Sequence, residues 1–177
     1  LMVDKEHNLE IEWIPFVQNI NLFISGVIDA TLAMSYNEIL QIRAAGYDIS
    51  TAISIADEGY DFPEDGLYVS EDYFRNNPQT VKAFADASRK GWEWAQEHPE
   101  ETLEIVMEKT HSNNIATNRT HQKWMLEEVL KLNKDTEIGT ATYTLKSDQV
   151  RRLSDLLVKH GMISKPVTYE TITGQTL

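Results

Sequence analysis

Met34, Ser35, Tyr36, Asn37 and Glu38 set a thioether, a hydroxyl, an aromatic ring, an amide and a carboxylate side by side. A flat ring can stack on Tyr36 while Glu38 accepts hydrogen bonds from an amino group and Asn37 donates and accepts in the same plane. That set suits an amino-pyrimidine or a similar amine-bearing heterocycle. The same residue types also start helices, with Ser35 or Asn37 as N-cap and Glu38 favoured near the positive end of the helix dipole. Capping and ligand contact are compatible, so residue chemistry alone leaves both open.

Other chemistries find less support. The five histidines, His7, His98, His111, His121 and His160, show no i, i+4 pair that would aim two rings at one metal, so no metal site is expected. His98 and His160 read as helix-terminal residues, where a cationic ring meets the C-terminal end of the dipole. A Ser, His, Asp triad converges in space and not in sequence, yet no G-x-S-x-G elbow marks a nucleophile. Neither G-x-G-x-x-G nor G-x-x-x-x-G-K-[ST] is present to cradle phosphates. No cofactor and no enzymatic turnover are expected. Trp92, Trp94 and Trp124 sit in helical stretches and read chiefly as core, with Trp94 as the odd one out.

Composition narrows the classes further. At 177 residues with 41% hydrophobic content, the chain is long enough to bury a core. Sixteen Lys and Arg against 28 Asp and Glu give a formal charge of −12, which repels a polyanion, so nucleic acid is not expected as a partner. The absence of cysteine removes disulfides, a thiolate nucleophile and thiolate metal sites. Apolar runs such as Leu22–Ile28 fall far short of the roughly 20 residues that span a bilayer. The chain starts at Leu1 without an initiator Met or a signal segment, which suggests a boundary or processing event within a longer protein.

The elements that must position these residues follow from periodicity. Leu9, Ile11 and Trp13 alternate with Glu10 and Glu12, the period-2 pattern of a half-buried strand that Pro15 ends. Asn19 caps a short apolar helix over residues 20–25, Gly26 closes it, and Asp29–Ser35 reads as a second strand. A helix over Asn37–Ala45 stops at Gly46, and the β-branched run Ser50–Ala56 and the short Leu67–Val69 continue the strand pattern. From Pro78 helices dominate, over residues 78–97, 100–109, 119–132 and 148–160. Residues 166–177 read as a frayed tail. In an α/β sheet, the Tyr36 cluster would stand at the carboxyl end of a strand, where ligands bind.

Several runs together resemble one family. These are WIPF (Trp13–Phe16), DATLAMSYNEILQ (Asp29–Gln41), GYDFPEDGLY (Gly59–Tyr68), the helix pair from Asn77 to Leu103, and TNRTHQKWML (Thr117–Leu126). They are similar to the thiamine-pyrimidine-precursor (NMT/THI-like) branch of ABC-transporter substrate-binding proteins, over a stretch from about Leu9 to His160. The resemblance implies a partial type II periplasmic-binding-protein fold, two α/β lobes closing on a solute. Residues 1–35 would belong to the second lobe and its return crossing strand, and 36–165 to the first lobe with its C-terminal helices. It further implies ligand contacts from Tyr36, Asn37 and Glu38, with Phe16, Asn19 and Asp57 as neighbours.

Family members carry roughly a hundred further residues before the matching part, about half a domain. Without them, apolar sheet surface would be exposed, and a swapped or symmetric homodimer is one way to hide it. A related branch makes the pyrimidine with a cysteine-rich, iron-dependent segment, which this chain lacks. Binding is therefore expected in place of synthesis, in the periplasm or elsewhere outside the cytoplasm. The output would be delivery to an ABC permease or, alternatively, signalling as the sensor or dimerisation module of a membrane-bound kinase.

Overall fold

In a computed structural model of the chain, residues 2–15, 19–63, 65–133 and 143–174 are described. Among them the regular structure is helical: α1 (Met2–His7), α2 (Asn21–Ile24), α3 (Glu38–Ala44), α4 (Glu71–Asn76), α5 (Pro78–Glu97), α6 (Pro99–Ser112), α7 (Arg119–Leu132), α8 (Ser147–Lys159) and α9 (Tyr169–Thr173). The five helices expected beyond residue 36 are present within a few residues of their predicted bounds. Pro78 and Pro99 occupy first-turn positions, where a missing N–H costs nothing. Gly46 and Gly161 follow α3 and α8 at φ +91° and +69°, the left-handed region that Gly enters without strain.

The expected α/β, type II periplasmic-binding-protein fold is corrected here, because no strand occurs among the described residues. The reason is local satisfaction of the backbone. In the 8–15 segment, Asn8 and Glu10 adopt φ +49° and +55°, which breaks the extended run. The Asp4 carboxylate then accepts from the Ile11 amide (3.3 Å) and from Trp13 Nε1 (2.8 Å), folding the segment back along α1. In the 29–35 segment, the Met34 amide donates to Glu38 Oε2 (2.9 Å) and the Met34 carbonyl accepts from the Asn37 amide (3.1 Å). In the 50–56 run, Asp48 accepts from both the Ser50 amide and hydroxyl, and turns begin at once. In each of these three expected strands at least one amide is thus taken by a neighbouring side chain instead of a ladder. Their apolar side chains stay open: Leu32 is 61% exposed and Ile53 73%.

The chain divides into two compact units. Unit 1 combines Leu1–Gln18, Ser54–Glu71 and Thr144–Leu177. Its centre is polar and aromatic. Glu6 of α1 accepts a short hydrogen bond from the buried Tyr60 hydroxyl and another from Lys159 Nζ (3.2 Å), while His160 packs 6.4 Å from the Tyr60 ring. Val150 and Ser154 of α8 are buried, and Ser154 Oγ accepts from the Val167 amide (2.7 Å), holding the chain that leads into α9.

Unit 2 comprises Asn19–Ile53 and Asp72–Tyr143. It buries Ile20, Ile42, Ala95 and Leu103, the last at 1% exposure. Helices α6 and α7 pack together, and α5 contacts α6. The α5 face expected to be core is only partly covered, with Phe84 at 63% exposure and Trp92 at 39%. Trp94 stands half-exposed and stacks on His98 at 4.7 Å.

Candidate functional site

The turn that carries Tyr36, Asn37 and Glu38 lies in unit 2 and leads into α3. Asn37 occupies the N-cap position, yet its side chain makes no capping bond. Its Oδ1 accepts from Gln41 Nε2 (2.9 Å) and lies 2.8 Å from His121 Nε2. Its Nδ2 donates to Glu38 Oε1 (2.8 Å), and the other carboxylate oxygen takes the Met34 amide. A carboxylate oxygen has two lone pairs, so each Glu38 oxygen keeps capacity for one more donor. All three side chains are half-buried.

α7 supplies the facing wall. Asn118 Oδ1 caps α7 by accepting from the His121 amide (2.9 Å), which fixes the helix start. One turn later, Trp124 Nε1 donates to the Ser35 carbonyl (3.2 Å). His121 and Trp124 therefore pin the turn at two points. Beside it opens a groove of about 390 Å³, lined by Leu40 of α3 and by Arg119, Thr120, Lys123, Trp124 and Glu127 of α7. Tyr36, Asn37 and Glu38 do not line this groove. They form the turn to which its wall is fastened.

The groove offers an indole face, an aliphatic side chain, a hydroxyl and charges of both signs. Its cations are already engaged: Arg119 bonds Glu104 and Glu100, and Lys123 Nζ lies 2.9 Å from Glu100 Oε1. The Lys123 ammonium holds the Glu100 carboxyl below its usual range, and Glu100 in turn raises Lys123. An anion would have to displace these carboxylates. A flat, amine-bearing ring would not, since Glu127 is an acceptor and Trp124 provides a stacking face.

The remaining candidates lie elsewhere. Asn19, in unit 2, accepts from the Asn21 amide (3.0 Å), but the N-cap position of α2 falls on Ile20 and not on Asn19 as expected. Asp57, in unit 1, is exposed on the turn after Ser54, whose hydroxyl accepts the Asp57 amide (3.3 Å). Phe16 lies outside the described residues. Sequence reasoning missed His121 and Trp124. Their only signal was the run TNRTHQKWML, in which Asn118 and the i, i+3 pair His121 and Trp124 share one helical face. Among the described residues, no group of three His, Asp or Glu side chains gathers to hold a metal ion.

A turn bearing aromatic, amide and carboxylate groups is thus fastened to α7 beside a groove. The family described as NMT1/THI5 like matches residues 5–102, more than half of the chain, and the chain belongs to that family. Membership carries a solute-binding role. Searches of curated proteins and of solved structures find no match. Among the described residues no helix is long and apolar enough to cross a membrane.

Proposed function

We propose that the chain binds a small amine-bearing heterocycle, of the thiamine-pyrimidine-precursor type, outside the cytoplasm and without chemical turnover, for delivery to an ABC permease. The observation that carries this reading is the hydrogen-bonded chain Glu38–Asn37–His121 beside the Trp124 groove. It holds the Glu38 carboxylate in place, so an incoming amino group meets an acceptor whose orientation has already been fixed. The matched segment, residues 5–102, contains Tyr36, Asn37 and Glu38, which also supports it. Calorimetric titration of amino-pyrimidines into wild type and Glu38→Ala is the test. Loss of a hydrogen bond to a charged group lowers affinity by about 1.5–3 kcal/mol. Equal affinity in the two proteins removes Glu38 from the site.

A second reading is favoured by the open apolar side chains of Leu67 (60% exposed) and Tyr68 (82%). Surface of this kind suits a sensor or dimerisation module of a membrane signalling kinase, in which a second copy or a partner covers it. Light scattering separates the two: a monomer that binds amino-pyrimidine supports transport, and a ligand-indifferent dimer supports the module.

A further inference from the structure

Unit 1 holds a second cleft, of about 290 Å³, between the turn that ends at Gly59 and one face of α8. Gly59 closes the turn at φ +88°, a left-handed conformation that glycine adopts without strain. The half-buried side chains Phe62, Leu153 and Leu156 give the cleft apolar surface. Two charges of opposite sign also line it, Asp61 from the turn side and Arg152 from α8. Among the described residues, Arg152 comes no nearer to a carboxylate than 3.9 Å, to Asp148, which is outside hydrogen-bonding reach. Asp61 takes part in no hydrogen bond or ion pair among the described residues. The two therefore share a cleft without neutralising each other.

We propose that this cleft binds a small zwitterion of amino-acid type with an apolar side chain. The guanidinium fork of Arg152 matches a carboxylate, and the Asp61 carboxylate accepts from an ammonium group. Phe62, Leu153 and Leu156 cover the hydrocarbon part. Acidic groups crowd the turn side, where Asp57 and Glu58 neighbour the cleft in sequence, so the ammonium end belongs there and the carboxylate end at α8. The volume lies at the low end for ligand sites, which fits a solute of this size. This inference uses residues of unit 1 alone and is independent of the Tyr36–Glu38 reading.

The test is titration of the full chain with L-leucine, followed by calorimetry and by amide chemical shifts, alongside 4-methylpentanoate, which lacks the amine, and 3-methylbutylamine, which lacks the carboxylate. The expected result is saturable L-leucine binding with shifts at residues 56–62 and 149–156. Arg152→Gln and Asp61→Asn each weaken it about tenfold or more, as does removal of either charged group from the ligand. Both substitutions are at exposed side chains, and unchanged circular dichroism confirms that the variants fold. The proposal is overturned if L-leucine does not saturate, if shifts map outside this cleft, if either variant binds like wild type, or if either analogue binds as tightly as leucine.

Discussion

His121 Nε2 lies 2.8 Å from Asn37 Oδ1, joining α7 to the turn before α3 across 84 residues of sequence. Asn37 Oδ1 also accepts from Gln41, and its Nδ2 is committed to Glu38, so His121 is the donor and carries its proton on Nε2. Asn37→Ala leaves two donors without their acceptor and lowers stability by about 1–2 kcal/mol in urea unfolding. A double-mutant cycle with His121→Ala should give a coupling of about 0.5–1.5 kcal/mol. Strict additivity would show that the contact contributes nothing.

Among the described residues Leu103 is the most deeply buried large side chain, at 1% exposure in α6. Leu103→Ala opens a cavity beneath the α6–α7 pair and costs about 2–4 kcal/mol, whereas Leu103→Met, which conserves volume, costs under about 1.5 kcal/mol. Equal midpoints for the two variants would mean that the site collapses freely.

Glu6 links α1 to Tyr60 and α8. The Tyr60 hydroxyl, followed by Lys159, holds the Glu6 carboxyl below its ordinary 4.5. A lowered folded-state value contributes stability above the unfolded value and loses it as pH falls through the folded one. The urea midpoint of Glu6→Gln should therefore lie below wild type near neutral pH, and the gap should close as pH drops below about 4.5. Glu6 also raises the Tyr60 phenol above its usual 10.0. That contribution is present below 10.0 and is lost as pH rises through the raised value, so alkaline absorbance titration should show two late-ionising tyrosines, Tyr60 and Tyr143, of which Glu6→Gln moves only Tyr60 back toward the ordinary range. A gap independent of pH would sink both expectations.

Glu100 bridges Arg119 and Lys123, with all three side chains about half exposed. Glu100→Gln should lower the unfolding midpoint slightly at low ionic strength and not at all at about 1 M salt, where charges are screened within roughly 3 Å. A salt-independent loss would point to packing by the Glu100 stem instead of charge.

Legibility differed by kind of element. The long helices could be read because their signals are local: Pro at the first turn, apolar residues at 3.6 spacing, Gly just past the end. The polar turn at Tyr36–Glu38 could be read because its residues adjoin in sequence. The partners of that turn could not. Gln41 is one helical turn away, but His121 and Trp124 belong to a helix formed more than 80 residues later, and no spacing rule connects them. The alternating runs misled for a related reason. Alternation at Leu9–Trp13, and the apolar or β-branched character of 29–35 and 50–56, say nothing about which backbone will pair, and Asp4, Glu38 and Asp48 each took an amide from these segments.

The sequence by itself determined the charge of −12, the lack of any thiol chemistry, the run of helices from Pro78 and the composition of the Tyr36–Glu38 turn, since each depends on residue identity or on neighbours within a few positions. Only the tertiary structure decided that Asn37 is held by α7, that Glu6 gathers Tyr60 and Lys159, and that Asp61 and Arg152 share a cleft. Those facts depend on chain segments meeting in space, and that meeting is settled by the competition for hydrogen bonds and burial across the folded chain.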